Sequence, residues 1–240
     1  MTATAGWAAP AVPGVGDRVR TVVRGLGEVL MTLGAVLLLF CVYELWVTGL
    51  YTAHDQARLG RDLASAWSAP PPAAPQSAAV PAEPVLGDAY ARFYLPRIDG
   101  DRPLVVVEGV GVPDLKRGPG HWPGSAAPGQ VGNLVISGHR TTYGAPFREL
   151  GQLQVGDPLV VETRDSWVTY RVTGSRVVLP SAVGVSLPVP DQPGATPTAA
   201  LLTLTTCNPE FSARQRLVVS GLLSDVRPKT AGRPAALTGL

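Results

Sequence analysis

From Val29 to Tyr43 the chain carries no charge, and between Leu26 and Leu50 the only charged residues are Glu28 and Glu44, near the two ends. A run of this length is close to the ~20 apolar residues that a membrane-spanning helix needs. A cleaved secretory signal is the competing reading. Its apolar region is shorter, about 7–15 residues, and ends in small residues, whereas Tyr43, Glu44, Leu45 and Trp46 follow here. Trp46 and Tyr51 stand where aromatic side chains anchor a helix at the lipid–water interface, so the run reads as an uncleaved anchor. Arg18, Arg20 and Arg24 precede it against Asp17, while Arg58 and Arg61 beyond it are offset by Asp55 and Asp62. The modest excess of arginine on the near side predicts an N-terminus held inside and the bulk of the chain outside.

The segment after the span changes character twice. Thr52 to Trp67 is polar and helix-compatible, whereas Ser68 to Pro84 reads SAPPPAAPQSAAVPAEP, in which repeated proline favours extended chain over packed structure. The organisation expected is therefore a cytoplasmic segment over 1–25, a transmembrane helix over 26–50, a polar stalk and Pro/Ala-rich linker over 51–86, a folded domain over 87–225 and a disordered tail over 226–240. A formal charge of +2 with 16% charged residues provides no basic field for nucleic acid.

Within the folded domain the apolar runs are short, rich in β-branched residues and bounded by Gly or Pro, which predicts strands. The candidates are Ala91 to Ile98, Leu104 to Val110, Asn133 to Ser137, Pro158 to Glu162, Val168 to Val178, Ala200 to Cys207 and Arg216 to Leu223. Short helices are expected at Val112 to Lys116 and Ala145 to Leu150. Seven or eight strands at this spacing predict a mainly β barrel or sandwich.

Of the two cysteines, Cys41 lies in the span and Cys207 in the folded domain, so a disulfide between them is excluded on geometry. Cys207 is then a lone thiol, which either packs as a small hydrophobe or acts as a nucleophile. It ends a β-branched run and meets Asn208 and Pro209 at once, a strand-end position where side chains become reachable. Three histidines exist. His54 lies just beyond the span and His121 in a Pro/Gly-rich loop, RGPGHWPG, whereas His139 in VISGHRTTYG shares the strand-end setting of Cys207. A thiol and an imidazole from separate strand ends are the general arrangement for acyl transfer through a thioester. Arg214 and Arg216 follow in SARQRLVV; if Arg216 opens the next strand, the turn returns it beside Cys207, where a cation can face a tetrahedral oxyanion. One cysteine and two scattered histidines offer no metal-ligand spacing, so no metal and no cofactor are expected.

These residues together resemble the sortases, the membrane-anchored cysteine transpeptidases of Gram-positive cell surfaces. The likeness rests on TLTTC at Thr203 to Cys207, on Arg216 in RQRLVV and on SGHRTTYGAPF with His139 upstream, and it spans roughly Ala91 to Leu222. The wording of GPGHWPG, GHRTTYGAPF and TLTTCNPEFSARQRL is most similar to the class E sortases of high-GC actinobacteria. The resemblance implies an eight-stranded sortase β-barrel at 87–225 and an acyl-transfer enzyme of the peptidase class. Cys207 would attack the Thr–Gly carbonyl of an LAxTG- or LPxTG-like sorting signal in a secreted protein, with His139 protonating the departing amine and Arg216 holding the oxyanion. An amine of peptidoglycan or its lipid-linked precursor would resolve the thioester. Thr206, Tyr143 and Asn208 would bind substrate, although Asn208 stands where many class E relatives carry His. The Pro-rich stretch from Pro180 to Pro197 reads either as an ordinary loop or as a wall of the substrate groove. A pilin-polymerising sortase and a non-catalytic extracytoplasmic β-domain with a buried Cys207 are the alternatives. An L,D-transpeptidase would resemble SHGC followed by Arg, which does not occur.

Overall fold

The computed structural model describes residues 14–69 and 85–238. Met1 to Pro13, most of the Pro/Ala-rich linker and the last two residues lie outside the described residues. The chain divides into two units, Met1–Tyr43 and Glu44–Leu240. Among the described residues the first holds helix α1 (Val15–Val42), none of whose residues is buried. Its apolar side chains from Val15 to Phe40, Leu30, Leu33 and Leu37 among them, are exposed, and Val42 at its end is half-buried. Val15–Ser68 is the one helical stretch among the described residues long and apolar enough to cross a membrane.

The second unit opens within a π-helical stretch, Tyr43–Val47, from Glu44 onward, and continues into α2 (Thr48–Ser68). Eight strands follow: β1 (Ala89–Tyr94), β2 (Leu104–Glu108), β3 (Gly120–His121), β4 (Gly132–Ser137), β5 (Pro158–Glu162), β6 (Ser166–Val178), β7 (Ala200–Asn208) and β8 (Gln215–Pro228). They close a barrel in the order β1-β2-β3-β4-β7-β8-β6-β5. β2 runs parallel to β3, β4 runs parallel to β7, and the other pairs are antiparallel. A closed sheet leaves no free edges. β6 and β8 can follow its curve over their full length because their pairing shifts register twice, at Thr169/Tyr170 and at Val172/Gly174, as bulges allow.

The barrel interior follows from alternation along the strands. Phe93, Val106, Leu134, Ile136, Leu159, Tyr170, Leu202, Leu204 and Val219 point inward to form one apolar cluster, closed by Phe147 and Leu150. Each such buried side chain contributes about 1.5–3 kcal/mol of transfer free energy. β4 is buried on both faces: Asn133, on the outer one, donates to the carbonyls of Val185 (3.1 Å) and Leu187 (3.0 Å) and accepts from Thr203 Oγ1 (2.8 Å). That single amide fastens the Pro-rich segment before β7 onto the barrel.

All seven expected strands are present, and the structure adds β3, whose two residues are too few to show periodicity. The first strand stops at Tyr94, because Pro96, with its φ fixed and no N–H to give, opens a short helix, α3 (Pro96–Asp99). A second short helix, α4 (Val112–Leu115), is where the sequence places it. The helix expected over Ala145 to Leu150 is absent. Tyr143, Gly144 and Ala145 take φ of 52°, 73° and 45°, a left-handed turn incompatible with a helix start, and only a 3-10 turn at Leu150–Gln152 follows. Beyond Val226, where the sequence suggests a loose tail, β8 continues to Pro228 and Leu237 is buried with Tyr94, Val160 and Trp167.

Candidate active site

β4 and β7 lie side by side in parallel register, Ser137 opposite Thr205. Two residues further along from each stand His139 and Cys207, which line one cleft. The junction is bonded three times: Ser137 Oγ to Thr205 Oγ1 at 2.7 Å, the Gly138 amide to the Thr205 carbonyl at 3.1 Å, and the Thr206 hydroxyl to the Gly138 carbonyl at 2.8 Å. On the other side of β7, Cys207 pairs directly with Arg216 of β8. A thiol, an imidazole and a guanidinium thus reach one cleft of about 310 Å³ from three adjacent strands. Val178, Leu179, Pro180, Val183 and Val185 wall one side of it, and Val110, Leu115 and Trp122 also line it. The Pro-rich segment therefore forms a wall of the cleft.

Of the residues singled out in the sequence, Cys207, His139, Arg216 and Thr206 all line this cleft. Thr206 is buried with its hydroxyl committed to Gly138, so what it offers the cleft is its aliphatic surface. Tyr143 and Asn208 lie outside it. Tyr143 places its ring against that of His139, centroids 5.1 Å apart. Asn208 donates to Gln215 Oε1 (3.2 Å) and accepts from Arg140. Arg214 borders a separate shallow depression with Leu179, Pro209 and Gln215. His54 lies on α2 and is exposed.

The electrostatics suit proton transfer. Burial first, and the Lys116 ammonium second, hold the His139 pKa below the ordinary imidazole value, so the ring is neutral at neutral pH and available to accept a proton. Arg216 Nη1 donates to the carbonyls of Ala213 and Gln215, both at 2.9 Å. Those bonds engage Nη1 alone, and a guanidinium carries further N–H donors on Nε and Nη2 for a ligand.

The sequence reading passed over Arg140. Its guanidinium donates to the Cys207 carbonyl (3.3 Å) and to Asn208 Oδ1, tying the residue next to His139 to the main chain of the thiol. Its position directly after His139 was the available signal. His121, read as a loop residue, is instead buried in β3. Its Nδ1 is 2.6 Å from Glu108 Oε2, its Nε2 is 2.9 Å from Ser125 Oγ, and Tyr90 stacks on the ring at 4.3 Å. This Glu–His–Ser chain is structural. Ser125 Oγ also accepts the Val135 amide, and the amides of Ser125 and Ala126 are bonded to the Trp122 and Asn133 carbonyls, so neither is free to stabilise an oxyanion. It fixes the chain on both sides of Trp122. Among the described residues no three His, Cys, Asp or Glu side chains converge to hold a metal ion.

Gly138 joins β4 to His139 where a side chain cannot fit. A Cβ there would lie 2.7 Å from the Phe147 ring, which is itself buried in the core. Overpacking of this kind typically costs about 1–3 kcal/mol. Gly138→Ala is accordingly expected to lower the thermal unfolding midpoint and to impair any activity that depends on His139. An unchanged midpoint would show that Phe147 yields.

A closed barrel that delivers a strand-end thiol to a cleft shared with a neutral imidazole and a guanidinium has the make-up of a cysteine acyl-transfer catalyst. Comparison with known proteins agrees and is more specific. The sortase domain model matches residues 93–224. Sortase SrtE1 of Streptomyces coelicolor is 38% identical over 223 residues, covering 89% of this chain and 60% of that relative's length. Sortase SrtE2 of the same organism is 30% identical over 82% of this chain and 80% of its own. Among solved structures, sortase E from Streptomyces avermitilis superposes with a TM-score of 0.58 at 39% identity, covering 64% of this chain and 99% of that one. The chain belongs to the sortase family, whose members are transpeptidases.

Proposed function

We propose that this sortase cleaves a C-terminal LAxTG- or LPxTG-like sorting signal between Thr and Gly and passes the acyl group to a peptidoglycan amine. The observation that carries the reading is the convergence of Cys207, His139 and Arg216 on one cleft. Cys207 Sγ bonds to the Thr carbonyl carbon as His139 takes the thiol proton, and the oxyanion faces Arg216. Collapse of the intermediate breaks the Thr–Gly bond, and the imidazolium returns its proton to the departing Gly amine. The thioester left on Cys207 is then attacked by an acceptor amine, which loses a proton through His139 and releases the thiol. The apolar walls of the cleft suit the Leu and Ala or Pro side chains of such a signal. Sortase E1 of S. coelicolor, 38% identical, has been solved with a tripeptide in its active site. The exposed apolar surface of α1 favours a membrane anchor, and the arginine excess before it favours a cytoplasmic N-terminus with the barrel outside.

The full chain in detergent, given paired LAxTG and LPxTG peptides and an amine acceptor, tests this reading. Cleavage between Thr and Gly with transfer to the amine supports it; no cleavage of either peptide would overturn it. The depressed His139 pKa adds a pH signature. The reaction needs the neutral imidazole, so kcat/KM should rise with pH along an acid limb lying below the ordinary histidine range. Lys116→Met removes a cation that opposes protonation, which raises the His139 pKa and moves that limb to higher pH. A limb that stays in place or moves down would contradict the assignment.

A further inference from the structure

Three polar residues of α2, Thr48, Thr52 and Gln56, lie along one face with its two core leucines. Thr48, Thr52, Leu59 and Leu63 are the buried positions of this helix, and Gln56 continues the same face. Leu59 and Leu63 pack on Val105 and Val107 of β2. Gln56 acts as a substitute strand: its Nε2 donates to the Val105 and Arg117 carbonyls, both at 2.8 Å, and its Oε1 accepts the Val105 amide at 2.7 Å. It fills a gap left because β3 pairs only with Val107 and Glu108 of β2.

The first turns of α2 reach the surroundings of His139. Thr48 Oγ1 accepts the Tyr143 amide at 3.4 Å, and Thr52 Oγ1 donates to the Lys116 carbonyl at 2.7 Å. Tyr143 is the residue whose ring lies against His139, and Lys116 Nζ sits 5.4 Å from the centre of the same ring. Tyr143 and Ala145 are non-glycine residues in the left-handed region, with Gly144 between them. Such a turn persists only where its surroundings enforce it. Thr52 Cγ2 stands 3.4 Å from where a Gly144 Cβ would lie, so the helix is packed directly on the turn.

We propose that α2 is part of the catalytic apparatus: Thr48 and Thr52 are positioning residues that brace the Tyr143–Ala145 turn and Lys116, and through them hold the His139 imidazole at the cleft. This rests on His139 being the proton-transfer group of the proposed reaction. The helix that leads out of the apolar span is on this account a working part of the enzyme and more than a spacer.

The test uses the full chain in detergent micelles. Thr48→Val/Thr52→Val removes both hydroxyls at nearly constant volume, Thr48→Ser/Thr52→Ser restores them, and Thr48→Val alone keeps the Thr52 and Gln56 bonds in case the pair disturbs folding. Amide hydrogen exchange over His139 to Phe147 should accelerate several-fold in the Val pair, while β5 and β6 stay at wild-type rates. With the sorting peptides, kcat should fall about ten-fold with KM changed less than two-fold, and the Ser pair should return both exchange and kcat towards wild type. Unchanged exchange over the turn, or faster exchange with kcat intact, overturns the brace. Should the wild-type chain cleave neither peptide, the proposed reaction fails, and the exchange measurement still decides whether α2 holds the turn.

Discussion

Cys207→Ala should abolish both peptide cleavage and amine transfer, at least about 10⁴-fold in kcat, because the bond to be made has no other atom to form on. Cys207 lines the cleft and is only partly buried, so losing its sulfur leaves little cavity, and the unfolding midpoint should stay close to that of the wild type. Strand β7 continues to pair with β4 and β8 through backbone bonds that the substitution does not touch. Cleavage is followed by mass spectrometry of the peptide products and folding by thermal unfolding. Residual turnover within ten-fold of wild type would remove Cys207 from the nucleophile's role and return the domain to the non-catalytic alternative.

Arg216→Ala is the second large effect. Removing one oxyanion donor commonly costs 10²–10³ in kcat, about 3–4 kcal/mol. The guanidinium here is held by the Ala213 and Gln215 carbonyls, and Arg216 lines the same cleft as Cys207. The loss should fall on kcat, with KM for the peptide nearly constant, because the negative charge exists only in the transition state and tetrahedral intermediate. Arg216→Lys should recover part of it, since an ammonium supplies charge without the planar fork. A matching loss in KM with kcat unchanged would make Arg216 a ground-state substrate contact.

The parts of this molecule legible in its sequence are those set by local pattern. Seven strands announce themselves as β-branched runs between Gly and Pro, and Cys207, His139 and Arg216 stand out because each sits at a strand boundary. β3 did not, since Gly120 and His121 owe their strand geometry to pairing with β2 and β4. Ala145 reads as a helix start after the Gly144 turn in one dimension, because the left-handed backbone of Tyr143 and Ala145 is dictated by what packs on them. The working face of α2 mixes threonine and glutamine with leucine, so hydrophobic periodicity does not reveal it. Its partners are carbonyls and amides more than forty residues away. Arg140 likewise acquires its role only when β4 and β7 are side by side. The family resemblance implies that Asn208, directly after Cys207, and Tyr143, four residues after His139, bind substrate. In the structure Asn208 bonds to Arg140 and Gln215, and the Tyr143 ring lies against that of His139.

The central claim is that this barrel forms a thioester on Cys207. Rapid acid quenching of the full chain with an LAxTG peptide in the absence of an amine acceptor, followed by proteolysis and mass spectrometry, tests it directly. The account predicts an acyl adduct of the peptide up to its Thr, located on Cys207, discharged by added amine and absent from Cys207→Ala. Cleavage of the peptide with no adduct on Cys207, or an adduct on any other residue, would contradict it.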